Sequence, residues 1–120
     1  MPNQEYTTFV EGVSIVSTTN GVGSDLIYAV PNNHDAEVSF LTITHGSGTD
    51  SINILMYHLA DDTYHYLLRD YKIQANGVYS VITQARLYLH QGDKILAYKA
   101  GGVFDVSISG KLFYNPVRNI

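Results

Sequence analysis

The chain has 120 residues, 45% of them hydrophobic and 15% charged, with a net charge of −4 and no cysteine. That length suits one domain and is enough to bury a core without metal or disulfide support. The lack of cysteine excludes disulfides, thiolate catalysis and Cys-type zinc sites, while the scattered Arg69, Lys72, Arg86, Lys94, Lys99, Lys111 and Arg118 form no basic stripe for a phosphate backbone.

Met1–Gln4 reads as a loose terminus with no secretory signal, and no window is long and apolar enough to span a bilayer, so a soluble product without membrane contact is expected. From Tyr6 to Ser17, Phe9, Val13 and Ile15 fit a first strand, with Gly12 placed to bulge it. A small polar loop carrying Asn20-Gly21 follows, then a short strand from Leu26 to Val30 that Pro31 ends. Residues 1–24 are an N-terminal arm and first strand, and residues 25–120 are the sandwich body, within a single domain.

After the turn Asn32–Asp35, Glu37–His45 is a central strand with Val38 and Phe40, then Leu41 and Ile43, as core candidates. The glycine turn Gly46–Asp50 leads to an alternating strand, with Ile52, Ile54 and Met56 on one side and Asn53, Leu55 and Tyr57 on the other. The stretch Asp61–Ile73 carries two signals. Tyr64, Leu67, Leu68 and Tyr71 have helical spacing, whereas Tyr64, Tyr66 and Leu68 alternate. Its aromatic content and the strands around it decide for strand, with Asp61-Asp62 in a hairpin turn.

Gln74–Gly77 is a turn before a strand from Val78. A break follows, then a strand through Leu87 and Leu89, the turn Gln91-Gly92-Asp93, and the strand Lys94–Ala100. The last turn has the form of an antiparallel hairpin and, set in the whole chain, of a sandwich corner. Asp93 is expected there for turn geometry, so that Asp93→Asn costs little. Gly101-Gly102 turns the chain again, and Val103–Ile108 alternates, with the strand able to pass Ser109-Gly110 as far as Tyr114 before Pro116. Eight or nine short strands at this turn spacing predict an all-β, antiparallel β-sandwich of jelly-roll type.

Chemistry-bearing motifs are few. There is no Gly-x-Ser-x-Gly elbow, no glycine-rich phosphate cradle, no calcium loop and no nominated carboxylate pair, so no enzyme and no cofactor are expected. The histidines His34, His45, His58, His65 and His90 include no His-x-His. His58 and His65 flank Asp61-Asp62 and could face each other with an aspartate as third ligand, but the sequence shows no group to orient them, and no metal site is assigned. Binding residues are sought among the tyrosines and the neighbouring acids: Tyr57, Asp61, Asp62, Tyr64, Tyr66 and Tyr88. Alternate tyrosines suit a strand face packed on another subunit, and a tyrosine pair beside carboxylates also suits a sugar.

The run Tyr28-Ala29-Val30-Pro31, then Val38–Thr44, Ile52–Tyr57, Tyr66–Gly77 and Leu87–Ile95 resembles small β-sandwich structural proteins of tailed bacteriophages. The resemblance implies a non-enzymatic virion protein that decorates the capsid or sits on the tail or neck. It also implies a homo-oligomer, with a trimer favoured, bound to the major capsid protein or to tail and neck proteins. The alternative is a carbohydrate- or receptor-binding module. The segment Pro2–Val10 could add a strand to a neighbour's sheet.

Overall fold

The computed structural model describes residues 7–18, 23–46, 50–74, 76–82 and 87–116. The terminus before Thr7, the Asn20-Gly21 turn, Ser47–Thr49, Ala75 and the break at 83–86 lie outside the described residues. Nine strands follow in order: β1 (Thr7–Ser14), β2 (Asp25–Ala29), β3 (His34–His45), β4 (Ser51–His58), β5 (Thr63–Lys72), β6 (Val78–Ile82), β7 (Leu87–Leu89), β8 (Lys94–Lys99) and β9 (Phe104–Tyr114). No α-helix occurs among the described residues.

The strands form two antiparallel sheets, packed face to face. One has the order β1-β9-β3-β6, with β7 also on β3; the other has the order β2-β8-β4-β5. β6 pairs with Leu41–Thr44 and β7 with Ala36–Val38, so the two lie end to end along β3. Apart from the hairpin β4–β5 and the β6–β7 pair, each connection crosses from one sheet to the other. This is jelly-roll wiring, with one strand divided into β6 and β7. The chain is therefore the antiparallel β-sandwich that its sequence predicts.

The core lies between the sheets. Val38, Leu41, Ile43, Val106 and Ile108 from one sheet meet Ile52, Ile54, Ile95 and Ala97 from the other. β1 is an edge strand of this body, paired with β9 from Thr7 to Ser14, so Thr7–Val10 are held in the chain's own sheet. Gly12 sits in a bulge, as expected, at φ 61° with its N–H donating to Ser107 Oγ at 2.9 Å.

Two expectations are corrected. Phe40 is not in the core; it is 53% exposed. Ser39 is an extra residue between the pairs Val38↔Gly110 and Phe40↔Ser109. This bulge reverses the inside–outside parity of β3, turning Leu41 and Ile43 inward and Phe40 outward. At Gln91-Gly92-Asp93 the hairpin form does not hold, because β7 pairs with β3 and β8 with β2 and β4, whereas the sandwich-corner reading does. The turn is a corner between sheets, docked on the residue after β2: Val30 N–H donates to the Asp93 carbonyl at 3.0 Å, and Gly92 N–H to that of Val30 at 3.2 Å. His45, whose burial the sequence leaves open, is a core residue. Its Nδ1 donates to the Ile73 carbonyl at 2.7 Å and its ring stacks on Phe104 at 4.3 Å.

Candidate functional site

The candidate site is built on the outer side of the β2-β8-β4-β5 sheet. Side chains alternate along a strand, so with Ile52, Ile54 and Met56 turned to the core, Asn53, Leu55 and Tyr57 face away from it. On β8, Ile95 and Ala97 turn inward, and Lys94, Leu96 and Tyr98 outward. The register then places Leu26 opposite Leu96, Leu96 opposite Leu55, and Leu55 opposite Tyr66. One apolar row thus crosses all four strands on the side away from the core. Directly opposed side chains of this kind pack against each other. Leu55 is 2% and Leu96 7% exposed although neither faces the core, while Leu26 at the margin is 54% exposed.

Tyrosines frame the row. Towards the β4–β5 turn, Tyr64 lies opposite Tyr57 with ring centres 4.9 Å apart, and Lys94 Nζ lies 5.4 Å from the Tyr57 ring centre. On the other side the Tyr66 and Tyr98 hydroxyls meet at 2.6 Å, with the Arg69 guanidinium 4.5 Å above the Tyr66 ring. Burial, then the bond to Tyr66, pushes the Tyr98 phenol up to about 12. The Tyr57 hydroxyl donates to Asp62 Oδ1 at 2.6 Å, and this bond, above burial and the nearby negative charge, lifts its phenol to about 12. Both rings thus stay neutral to a higher pH than an ordinary tyrosine does, as polar-tipped apolar surface.

Two bulges in β5 shape this face. Between Leu55↔Tyr66 and Ile54↔Leu68 there is one extra residue on β5, and another between Ile54↔Leu68 and Ile52↔Tyr71. Asp70 adopts φ 47° there, and its N–H donates to Oδ1 of the buried Asn53 at 2.7 Å. The bulges send Tyr64 and Tyr66 outward and Leu68 and Tyr71 inward. They also twist an edge strand that would otherwise offer ten regular residues for pairing.

Of the residues nominated from sequence, Tyr57, Tyr64 and Tyr66 share the outer face, and Asp61 and Asp62 close the turn beside it. Tyr88 does not join them. It lies opposite Glu37 on the outer side of the other sheet. Asp61 Oδ1 accepts from the Thr63 hydroxyl at 2.7 Å, so each aspartate already holds a partner inside the hairpin. Sequence reasoning did not nominate Leu26, Leu96, Tyr98, Lys94 and Arg69. The available signal was the apolar run Ile95-Leu96-Ala97-Tyr98, which lacks the polar residue that an exposed alternate position would carry.

At the same end of the sandwich, a cleft of about 330 Å³ is lined by His58, Leu59, Ala60, Asp61, His90, Gln91 and Asp93. Asp93 anchors it. Its carboxylate accepts from Leu59 N–H at 3.0 Å and His90 N–H at 2.9 Å, and lies 3.4 Å from His58 Nδ1. His90 Nδ1 lies 3.4 Å from Asp35, whose other oxygen accepts from Asn115 Nδ2 at 2.6 Å. These contacts join the corner to β3, β4 and the end of β9.

No protein-family model, curated protein or solved structure matches the chain.

Proposed function

We propose that this protein is a non-enzymatic structural protein of a bacteriophage virion, a decoration protein that oligomerises and binds the outside of the assembled capsid. The observation that carries the structural role is the row Leu26–Leu96–Leu55–Tyr66 with its frame of tyrosines. Interface centres are enriched in tyrosine and depleted of Lys, Glu and Asp, and at the open margins of this row Leu26 is 54% and Tyr64 41% exposed. Here Lys94 and Arg69 lie against tyrosine rings. The placement on a phage particle rests on the sequence resemblance. The mechanism is cementing: a protein that binds only the assembled state stabilises it by mass action.

The test pairs solution mass with co-sedimentation on assembled capsids. The wild type is expected as an oligomer, with a trimer favoured, that sediments with particles. Leu26→Asp and Tyr64→Ala, both at exposed positions, are expected to abolish one or both associations while the domain stays folded. A wild-type monomer that binds no particle overturns the reading. Binding confined to tails places the protein on the tail or neck instead. Glycan binding lost in Tyr66→Ala, with assembly unchanged, transfers the face to a carbohydrate- or receptor-binding role.

A further inference from the structure

The β1-β9-β3-β6 sheet also has an outer side, and the bulge at Ser39 decides what stands on it. Val38, Leu41 and Ile43 turn to the core, so Phe40 and Thr42 face away from it. On β9, Val106 and Ile108 turn inward, and Ser107 and Ser109 outward. The register then sets Phe40 opposite Ser109 and Ser109 opposite Thr8, with Thr42 opposite Ser107 in the next row. The bulge in β1 brings the Gly12 N–H onto Ser107 Oγ at 2.9 Å, which leaves the Ser107 hydroxyl proton to donate elsewhere.

These residues line an open groove of about 180 Å³, together with the exposed Glu11. Phe40, 53% exposed, supplies an aromatic ring. Thr8, Thr42, Ser107 and Ser109 supply hydroxyls that both donate and accept, and the Glu11 carboxylate accepts only. An apolar ligand would cover these hydroxyls without returning their hydrogen bonds. An anion would meet Glu11 and, among the described lining residues, no Lys, Arg or His to pair with. A neutral sugar ring answers both kinds of surface. Its C–H face packs on an aromatic ring, and its hydroxyls donate and accept in turn. The groove is smaller than pockets that enclose drug-sized ligands, which suits one sugar unit, and its open side leaves room for a chain to continue.

We propose that this groove binds a neutral sugar unit. Phe40 is the stacking residue, the four hydroxyls bond the ring substituents, and Glu11 accepts from a pair of adjacent ligand hydroxyls. The bulge makes the site. Without the extra residue Phe40 would turn inward with Val38, and no ring would stand beside the hydroxyls. The close approach of β3 at Gly110, where a Cβ would overlap the Glu37 carbonyl, holds the strand in this register. The groove lies on the opposite sheet from the tyrosine face, so the site stands independently of the reading of that face.

An array of neutral glucans, mannans and galactans, with sialylated and sulfated glycans beside them, tests the proposal on the full chain. Binding to at least one neutral glycan is expected. Phe40→Ala should weaken it about tenfold or more, and Thr8→Val, which removes one hydroxyl at constant shape, about two- to tenfold. Tyr66→Ala should leave it unchanged. Phe40 and Thr8 are both exposed, and Thr8→Val decides the matter if Phe40→Ala fails to fold. Absence of binding to every neutral glycan overturns the proposal, as does binding shown only by the sialylated or sulfated glycans. Neutral-glycan binding that Phe40→Ala and Thr8→Val leave unchanged overturns it too. If that binding is lost in Tyr66→Ala instead, the sugar sits on the tyrosine face and not in this groove.

Discussion

Replacing Asp93 by Asn changes the charge and one atom at a corner between the two sheets. Asp93 is 2% exposed, and its carboxylate is shared between two backbone donors, Leu59 N–H at 3.0 Å and His90 N–H at 2.9 Å. Asparagine preserves the size, the shape and the backbone bonds to Val30 and His90. It supplies one acceptor where two are needed, so its amide NH₂ must face one of those two N–H groups. The loss is one hydrogen bond to a charged acceptor, together with a buried donor left unpaired. The two descriptions overlap, so they give about 2–3 kcal/mol in total and not their sum. The expectation from sequence alone was a slight cost, and a solvated turn aspartate would indeed lose under about 0.5 kcal/mol.

Urea unfolding followed by tyrosine fluorescence separates the two. For a small domain that loses about 1–3 kcal/mol per molar urea, Asp93→Asn should lower the midpoint by about 0.7 M or more with an unchanged slope. A midpoint within about 0.3 M of the wild type would refute the argument that the carboxylate, beyond the turn, holds this corner.

Two further outcomes follow from single contacts. Gly110→Ala should destabilise the domain by roughly 3 kcal/mol or more, because its Cβ would overlap the Glu37 carbonyl oxygen on β3, and backbone cannot yield as a side-chain tip does; thermal unfolding that matches the wild type would show that β3 and β9 can part there freely. The phenols of Tyr57 and Tyr98, both lifted to about 12, favour the folded state while neutral. That stability is full below pH 10, the ordinary tyrosine value, and fades as pH rises through about 12. Tyr57→Phe and Tyr98→Phe should each flatten the alkaline fall of the urea midpoint and remove a late step from the tyrosinate absorbance titration; identical profiles would contradict the assignment.

Strand positions and the sandwich were legible in the sequence because alternation and turn residues are local signals. What local signals lack is parity beyond a bulge and the identity of the pairing strand. Tyr64, Leu67, Leu68 and Tyr71 mimic helical spacing because β5 contains two bulges, each adding a residue that shifts the following side chains to the other face. Phe40 was placed inside for the same reason, one bulge removed. The Gly92-Asp93 turn is plain in the sequence, but a tight turn into a hairpin partner and a tight turn into the opposite sheet use the same residues. His45 was legible in principle. It continues the inward series Leu41, Ile43 to the end of β3, but a histidine beside Gly46 reads as surface until the Ile73 carbonyl is found behind it.

The outer face shows how far a periodic reading can be taken. In a two-layer sandwich each strand has one side on the core, and the other side should be polar if water is its only neighbour. β4 breaks this rule: Ile52 to Met56 are five consecutive buried residues, with Asn53 the single polar one. β8 breaks it at Ile95–Ala97. In a parallel sheet such runs mean layers on both faces, but this domain has only two layers. Apolar side chains on the far side therefore gain nothing from the fold's own core. Their burial is as yet local, within a row whose end at Leu26 is open. If the row served only the monomer, Leu26→Asp would change stability little and alter no association. If it is half of an interface, the same substitution leaves the domain folded and abolishes association, because a carboxylate buried there without a partner costs more than the lost apolar contact. The apolar runs of β4 and β8 read as ordinary alternation along the chain, and which of their residues face away from the core emerges only once the layers are counted.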